Sequence, residues 1–350
     1  MHEAGATELY CGIMRREVQR EFTNVFSFNS RQISEANLPE IGELAEVVSE
    51  ARVRGMKVFV TYNALYIEDQ FEALKSEIEK VIACKPDGLI VADIALMIYL
   101  KERYPDVKIV VSTLGGTFNS RTALMYRALG AARIIFPRHL TVGEIADIAT
   151  ACPELEYEAF IMSDRCYFPN ALCKFEHAAC RVKEGPLSFI SSLSQRLLGR
   201  RMAIFTATYR NRTINRLQDR FIANNGVMCS REYEADLMDA DGGILKSGLA
   251  FRLFDTWNSF RDACGLCALY DIAGVPSVRS VKIVGRDSLT SRKVADTRIV
   301  RDALELLKSK PSREAYTAAV KKMRRKFYPD HCGDAFCYYC EPDKKTSESK

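Results

Sequence analysis

The sequence has few histidines, no long apolar run and no large excess of charge of either sign. Only 4 of its 350 residues are histidines, so the stock of the most common general base is small. No apolar run approaches the ~18 residues that span a membrane, and we expect no membrane partner. The formal net charge of +5 is mild for this length, so charge alone does not indicate nucleic-acid binding.

The N-terminal stretch MHEAGATELY lacks the basic and apolar regions of a secretory signal. We therefore expect a cytoplasmic protein in a reducing compartment. Disulfides are rare there, so the 12 cysteines are better interpreted as metal ligands or as small buried hydrophobic residues.

Apolar, β-branched runs alternate with amphipathic helical segments in the first half of the chain and again near residue 279. The pattern predicts seven strands, which begin near residues 8, 58, 88, 108, 132, 155 and 279. Short apolar strands separated by helices indicate parallel pairing with both faces of the sheet covered. The expected fold is a TIM-like βα barrel that lacks its first strand or closes differently, and a doubly wound open sheet is the alternative.

Local signals place several helix ends. Asn37 to Glu40 and Thr141 to Glu144 both fit the capping-box pattern at a helix start. Gly55 and Gly130 are predicted to end helices.

The alternation stops at Cys166 and returns only after Asp262. We therefore predict four parts: the first part of the barrel (1–165), a cysteine- and arginine-rich insertion at its carboxyl-terminal rim (166–263), the end of the barrel (264–310), and a C-terminal helix with a cysteine-rich tail (311–350). Basic stretches in the insertion and from Lys321 are interpreted as solvated helix faces, with RNA as a possible partner.

Polar residues follow most of the predicted strands. In a βα barrel these strand ends lie on one rim, where active sites are built. The candidate substrate-binding residues are Asn63, Asp93, Ser112, Arg138, Lys282 and Arg286. The cations among them suit carboxylate binding, because a guanidinium can donate two hydrogen bonds to one carboxylate. The alternatives are that Lys282 and Arg286 pair with acidic neighbours, and that polar residues mark where strands leave the core.

Two groups of cysteines suggest metal sites. Cys166 and Cys173 could bind zinc locally with His177 and Cys180, or could be ligands of an iron-sulfur cluster. A second possible metal site is formed by Cys267 with three thiols of the tail, Cys332, Cys337 and Cys340. Simple packing of the tail as an apolar patch is the alternative.

The order of these motifs resembles the peptidase U32 family, which is called collagenase-like and has members regarded as iron-sulfur hydroxylases. The resemblance covers most of residues 5–310. It is carried by strand-end matches at 61–63, 91–93, 111–113 and 137–140, and by Cys166 with Cys173, Asn224 to Tyr233, Asp262 to Cys264, and Lys282 to Arg286. Val284 stands where the family has a glutamate.

The resemblance implies a 4Fe-4S cluster on Cys166, Cys173, Cys229 and Cys264, with zinc as the alternative cofactor. It also implies oxygen-independent hydroxylation of a small aromatic molecule or an RNA base, with a prephenate-like carboxylate as oxygen donor and with a paired subunit of the same family. Peptidase activity is the historical alternative, although the sequence has neither a Gly-x-Ser-x-Gly elbow nor a His-Glu-x-x-His helix. A non-catalytic zinc or iron-sulfur accessory protein is the third possibility.

Overall fold

The computed structural model describes residues 1–15, 28–30, 36–163, 232–238, 244–252, 262–328 and 337–339. Contacts divide the chain into two compact units. The first consists of Met1–Asn29, Ser34–Cys173 and Thr256–Lys350, and the second of Ser30–Ile33 and Lys174–Asp255. The predicted boundaries after residues 165, 263 and 310 stay predictions.

The first unit alternates strands with helices, and the described part of the second consists mainly of one strand pair. The strands are β1 (Glu8–Ile13), β2 (Asn37–Leu38), β3 (Lys57–Tyr62), β4 (Gly88–Val91), β5 (Ile109–Val111), β6 (Ala131–Ile135), β7 (Glu156–Met162), β8 (Glu232–Met238), β9 (Ile244–Arg252) and β10 (Val278–Ile283). The helices are α1 (Ile41–Val53), α2 (Glu68–Ala83), α3 (Ile94–Arg103), α4 (Ser120–Ala128), α5 (Val142–Ala151), α6 (Leu269–Ile272), α7 (Thr290–Lys308) and α8 (Arg313–Phe327). All seven predicted strands are confirmed, whereas β2 and the antiparallel pair of β8 and β9 were not predicted.

The eight strands of the first unit form one parallel sheet in the order β10-β7-β6-β5-β4-β3-β1-β2. Apart from the short β2, this order follows the chain in one direction. The order reverses once, between β1 and β3, because the two-residue β2 pairs on the other side of β1. The sheet is a curled half-barrel with flanking helices, and the predicted TIM-like α/β class is confirmed.

The central strands owe their pairing to burial on both faces. Every residue of β4 and β5 is buried, as expected where helices cover one face of a parallel sheet and side chains fill the other. At the edge the pairing is incomplete. β1 pairs with β3 from Glu8 to Gly12, but β2 pairs with β1 only at Gly12 and Ile13.

Helix ends follow the local signals in most places. The Thr141 capping box is confirmed, because the Thr141 hydroxyl accepts from the Glu144 amide and the Glu144 carboxylate accepts from the Thr141 amide. Gly55 and Gly130 follow α1 and α4 with positive φ, as predicted. The capping box at Asn37 was wrong, because Asn37 lies in β2 and pairs with β1. None of the described helices is long and apolar enough to cross a membrane.

Two apolar layers hold the sheet. The outer layer packs helix residues such as Leu44, Leu74 and Leu96 against the outward side chains of the strands. The inner layer fills the concave face with the following side chains: Phe59, Ile90, Val110, Ile135, Phe160, Val284 and Tyr338. Burying each such side chain contributes about 1.5–3 kcal/mol, so both faces stabilise the curled sheet.

Charged residues occupy the amino-terminal end of the inner face. Arg133 on β6 is 3% exposed, and its NH1 and NH2 groups donate to the Glu8 carboxylate at 2.5 and 3.0 Å. Its Nε donates to Glu156 at 2.9 Å, and NH1 also approaches Glu158 at 3.4 Å. The three carboxylates compensate the charge of the buried Arg133, as a buried cation requires. We call Arg133, Glu8, Glu156 and Glu158 the base cluster.

Candidate functional site at the carboxyl ends of the strands

Arg286 follows β10 and reaches across β1 to β3. Its NH1 group donates to the Thr61 hydroxyl at 3.0 Å, and its NH2 group donates to the Asn29 side-chain oxygen at 3.5 Å. Asn29 is fully buried and donates in turn to the Asn37 side-chain oxygen at 2.8 Å. Neutral oxygens therefore orient this guanidinium at the rim.

Gly12 provides the space for this group of polar side chains. A Cβ atom at Gly12 would lie 2.1 Å from the Asn37 side-chain oxygen and 2.7 Å from the Arg286 NH1 atom. The functional reading of the sequence missed Gly12, Asn29 and Thr61. A glycine inside an otherwise apolar strand was the one available signal, since such a position can mark close approach of other groups.

Arg138 follows β6 and lies over an aromatic ring. Its guanidinium carbon is 4.2 Å from the centroid of the Phe160 ring, and the Tyr338 ring lies nearly parallel to Phe160, with centroids 6.3 Å apart. A planar cation and two parallel rings form an amphipathic ledge beside the end of β7.

Two further predicted residues contact each other at the rim. The Asn63 amide nitrogen donates to the Ser112 hydroxyl at 3.4 Å, although 49 positions separate the two residues. The Ser112 hydroxyl also accepts from the Leu114 amide at 3.2 Å and caps a short 3-10 turn. Parallel pairing brings these strand ends together, as expected.

Asp93 and Lys282 have structural partners. The Asp93 carboxylate caps α3 by accepting from the Leu96 amide at 2.9 Å, and it also accepts from the Tyr66 amide at 3.3 Å. The Lys282 ammonium donates to Glu158 at 2.7 Å and lies 3.7 Å from the Tyr10 ring centroid. The ion pair of Lys282 corresponds to the acidic-neighbour alternative. Their substrate-binding roles stay predictions.

A cavity of about 680 Å³ runs beside the edges of β1 and β10. Its lining includes Tyr10, Glu158, Lys282 and Arg286, together with apolar residues of the inner layer. The volume lies within the usual range of small-molecule sites, ~300–1,000 Å³. The cavity therefore joins Lys282 and Arg286, but Asn63, Asp93, Ser112 and Arg138 do not line it.

The structure describes three of the predicted metal ligands, Cys264, Cys267 and Cys337. The backbone of Cys264 forms isolated β-bridges with Met162 and with Cys337. The Tyr338 amide donates to the Cys264 carbonyl at 2.9 Å. Burial raises the pKa of the Cys264 thiol to about 12, while Arg324 acts in the opposite direction.

In the described ranges, no three potential ligands come close enough to hold one metal ion. The remaining predicted ligands lie outside the described residues: Cys166, Cys173, His177, Cys180, Cys229, Cys332 and Cys340. Both metal sites stay predictions.

The tail contributes two tyrosines to the rim. Tyr338 is 3% exposed, and its hydroxyl donates to the Ser163 carbonyl at the end of β7. The Tyr339 hydroxyl donates to the Phe160 carbonyl at 2.7 Å. Ser163 has a positive φ of 65° and donates through its side chain to Asp296 at 2.6 Å. The tail therefore packs on the strand end that precedes the first predicted cluster cysteines.

These features define an α/β half-barrel with an oriented arginine, an aromatic ledge and a cavity along its open edge. The sequence matches the model of peptidase family U32 over residues 1–183, more than half of the chain. The chain therefore belongs to peptidase family U32.

Comparison with curated proteins finds relatives with one shared name. The chain is 27% identical over 169 residues to tRNA hydroxylation protein P of Haemophilus influenzae, and 25% identical over 169 residues to the protein of the same name from Escherichia coli. Each match covers 48% of this chain and 34% of the relative, so the chain spans about a third of the length of these relatives. A tRNA hydroxylation protein P1 of Bacillus subtilis is 25% identical over 133 residues, which are 38% of this chain and 31% of that protein.

Among solved structures, the chain is similar to the U32 peptidase Mk0906. The two are 19% identical, with a TM-score of 0.38, and the match covers 53% of this chain and 84% of the other.

Proposed function

We propose that this chain is a hydroxylase, or a subunit of one, that modifies an RNA base without molecular oxygen. The observation that carries this proposal is its similarity to proteins named tRNA hydroxylation protein P, at 25–27% identity. The order of cysteine and strand-end motifs supports the same class of reaction. A small aromatic molecule is the alternative substrate.

The cavity beside β1 and β10 offers a place for a small carboxylated co-substrate. Arg286 lines this cavity, and Thr61 and Asn29 fix the direction of its guanidinium. A guanidinium oriented in advance loses less freedom when it binds a carboxylate through two hydrogen bonds. Arg286 would therefore bind and orient the co-substrate, while the apolar inner layer excludes water.

The ledge of Arg138, Phe160 and Tyr338 suits the other reactant. RNA bases that leave the helical stack are commonly bound on aromatic rings or guanidinium planes. Arg138 lies over Phe160 at 4.2 Å, so the ledge already has a planar polar surface. In this proposal the target base stacks on the half-buried guanidinium of Arg138, which lies over the buried ring of Phe160 close to the end of β7.

We also propose a 4Fe-4S cluster on Cys166, Cys173, Cys229 and Cys264, and zinc is the alternative. Thiolates are suitable ligands for either metal centre, and a bound cluster would supply redox or Lewis-acid chemistry. The proposal is supported by the motif order. Its test is purification without oxygen followed by iron, sulfide and zinc analysis, in which a colourless protein with one equivalent of zinc would contradict the cluster.

Nucleoside analysis of tRNA tests the proposed reaction. Cells that lack this chain would be complemented, without oxygen, by the wild type, by Arg286→Gln or by Arg298→Gln, which removes an exposed arginine of α7. We expect a hydroxylated nucleoside with the wild type and the Arg298 control, and a loss of at least tenfold with Arg286→Gln. An unchanged nucleoside profile in cells that lack the chain would contradict RNA hydroxylation.

Two assays on the same material separate the alternatives. Cleavage of casein or gelatin by the purified chain would favour the alternative that the chain is a peptidase, the activity in the family's name. Recovery of activity only after a second U32-type protein is added would assign the accessory role and the paired subunit. The cytoplasmic location stays a prediction.

A further inference from the structure

Helix α8 carries a stripe of four exposed cations on one face. Lys321, Lys322, Arg325 and Lys326 are all exposed, and we call them the α8 basic stripe. At 100° per residue they group on one side of the helix. The buried residues of α8 are Tyr316, Val320 and Arg324, which lie on the opposite side. One face therefore anchors the helix and the other is left to solvent.

Among the residues that the structure describes, no neighbour neutralises the charge of this stripe. No carboxylate in the described part of the chain forms an ion pair with these four residues, and the one acid within α8 is Glu314 in its first turn. Some cations elsewhere have carboxylate partners: the exposed Arg54, Lys308 and Arg313 pair with Glu50, Glu305 and Asp271, and the half-buried Lys75 pairs with Glu72. Four adjacent unneutralised cations produce a local positive field that the mild net charge conceals.

Helix electrostatics explain only part of the stripe. Cations in the last turn of a helix interact favourably with the helix dipole, which accounts for Arg325 and Lys326. The effect fades beyond the last turn, so it does not account for Lys321 and Lys322 one turn earlier.

The anchoring face of α8 fixes the stripe to the carboxyl end of β7. Arg324 is 1% exposed, donates to the Asp262 carbonyl, and lies 3.5 Å from the Met162 sulfur. Tyr328 donates to Asp296 at 2.6 Å, and Asp296 holds Ser163. A ligand on the stripe would therefore be bound by a rigid helix whose inner face contacts the end of β7.

We propose that the α8 basic stripe binds the phosphate backbone of a structured RNA and so brings the RNA to the rim. This inference rests on the proposed function. A membrane surface is less suitable, because a helix that binds membranes exposes an apolar face, and Phe327 is the one large apolar residue of α8 that is exposed. Lysine and arginine contacts to phosphates are largely independent of sequence, so the stripe would supply affinity and position rather than base selection.

A salt titration of RNA binding with two matched variants tests this proposal. The stripe variant combines Lys321→Gln, Lys322→Gln, Arg325→Gln and Lys326→Gln. The control variant combines Arg54→Gln, Lys75→Gln, Lys308→Gln and Arg313→Gln, which removes four cations that already have partners. Each variant changes the formal net charge from +5 to +1, that is 5 minus 4, so location is the main difference between them.

Binding of a bulk tRNA preparation to the full chain would be measured between 50 and 200 mM salt. Each phosphate contact contributes about 0.9 to the slope of log affinity against log salt, so loss of four contacts should make the slope shallower by about 3.6. We expect the stripe variant to bind at least tenfold more weakly at 50 mM salt, and the control to stay within about twofold of the wild type. Equal losses in the two variants would overturn the proposal, because they would show an effect of net charge alone.

Two further outcomes separate this inference from the proposed function. If the stripe variant binds tRNA like the wild type while the nucleoside is still hydroxylated, the inference fails and the proposed function stands. If the wild type itself binds no tRNA and hydroxylates none, both fail. Binding of the wild type, but not of the stripe variant, to phosphatidylserine vesicles with unchanged tRNA affinity would assign the stripe to a membrane and overturn the RNA proposal.

Discussion

The arginines at the two ends of the parallel sheet have different kinds of partners. At the amino-terminal end, Arg133 is surrounded by the carboxylates of Glu8, Glu156 and Glu158. At the carboxyl end, Arg286 donates to the neutral oxygens of Thr61 and Asn29, and Arg138 lies over a ring. A buried arginine that carboxylates surround stabilises a fold, whereas an arginine that lines a cavity can donate to a ligand. The comparison predicts that the base contributes more to stability and the rim more to binding.

Removing the guanidinium at the base should have the largest effect. Arg133→Met leaves carboxylates without their partner inside the sheet, and breaking such a buried pair typically costs 3–5 kcal/mol. We expect a loss of about 3 kcal/mol in the free energy of unfolding, measured with urea. The matched rim variant Arg286→Met should lose at most about half as much. Equal losses would contradict the division between base and rim.

The next largest effect is expected from filling the space at Gly12. Gly12→Ala places a Cβ atom against Asn37 and Arg286, and overpacking of this kind costs about 1–3 kcal/mol. The flexible side chains of Asn37 and Arg286 can move aside, so we expect only a small loss in the free energy of unfolding. Because Arg286 is then displaced, we expect a clear rise in the KM of the carboxylated co-substrate. Gly42→Ala in α1 is the control, because a Cβ atom there meets nothing within 4 Å. If Gly12→Ala leaves the KM unchanged, Arg286 does not bind the co-substrate as proposed.

A smaller effect is expected at the rim from the tail. Tyr338→Phe removes the hydrogen bond to the Ser163 carbonyl, and a typical hydrogen bond contributes about 1 kcal/mol. Tyr10→Phe removes a longer bond, 3.5 Å from the Ile283 carbonyl, and should cost less. Urea unfolding of both variants measures the difference. If Tyr338→Phe matches the wild type, the tail does not fix the end of β7 through this bond.

The smallest effect at neutral pH is expected from Glu156→Gln, about 0.5 kcal/mol, as for other partly exposed ion pairs. Burial tends to raise the pKa of Glu156, but Lys108 and Arg133 outweigh burial and hold it below its ordinary value of 4.5. The stabilising pair is therefore complete above about pH 4.5 and is lost as the pH falls through the lower folded-state pKa. Urea unfolding between pH 3 and 7 should show a shallower acid loss in the variant. An identical pH dependence would show that this carboxylate does not contribute.

The sequence predicted the elements well where their signals were local. The seven strands and the Thr141 capping box depend on residues that are neighbours in the chain, and the structure confirms them. Asn37 shows the limit of such reasoning. It has the local pattern of a helix start, but pairing with β1 places it in β2.

The candidate site was predictable in kind but not in its contacts. That polar strand ends share one rim follows from parallel pairing, and Asn63 with Ser112 agrees. The sequence could not predict that Asp93 caps a helix or that Lys282 forms an ion pair, because aspartate and lysine also bind ligands. Gly12 was missed as a rim residue, since its partners are distant in the chain. Packing of Tyr338 onto the barrel corresponds to the apolar-patch alternative for the tail.

The sequence by itself determined the alternation of buried strands and helices, because each strand must bury both faces and each helix one face. It also determined the family, whose motifs lie along the chain in a fixed order. The tertiary structure alone decided which cation meets which partner. Arg133 reaches Glu8 across 125 positions, and Arg286 reaches Thr61 across 225. The curl of the sheet brings these residues within hydrogen-bond distance, and no short-range pattern in the chain encodes that curl.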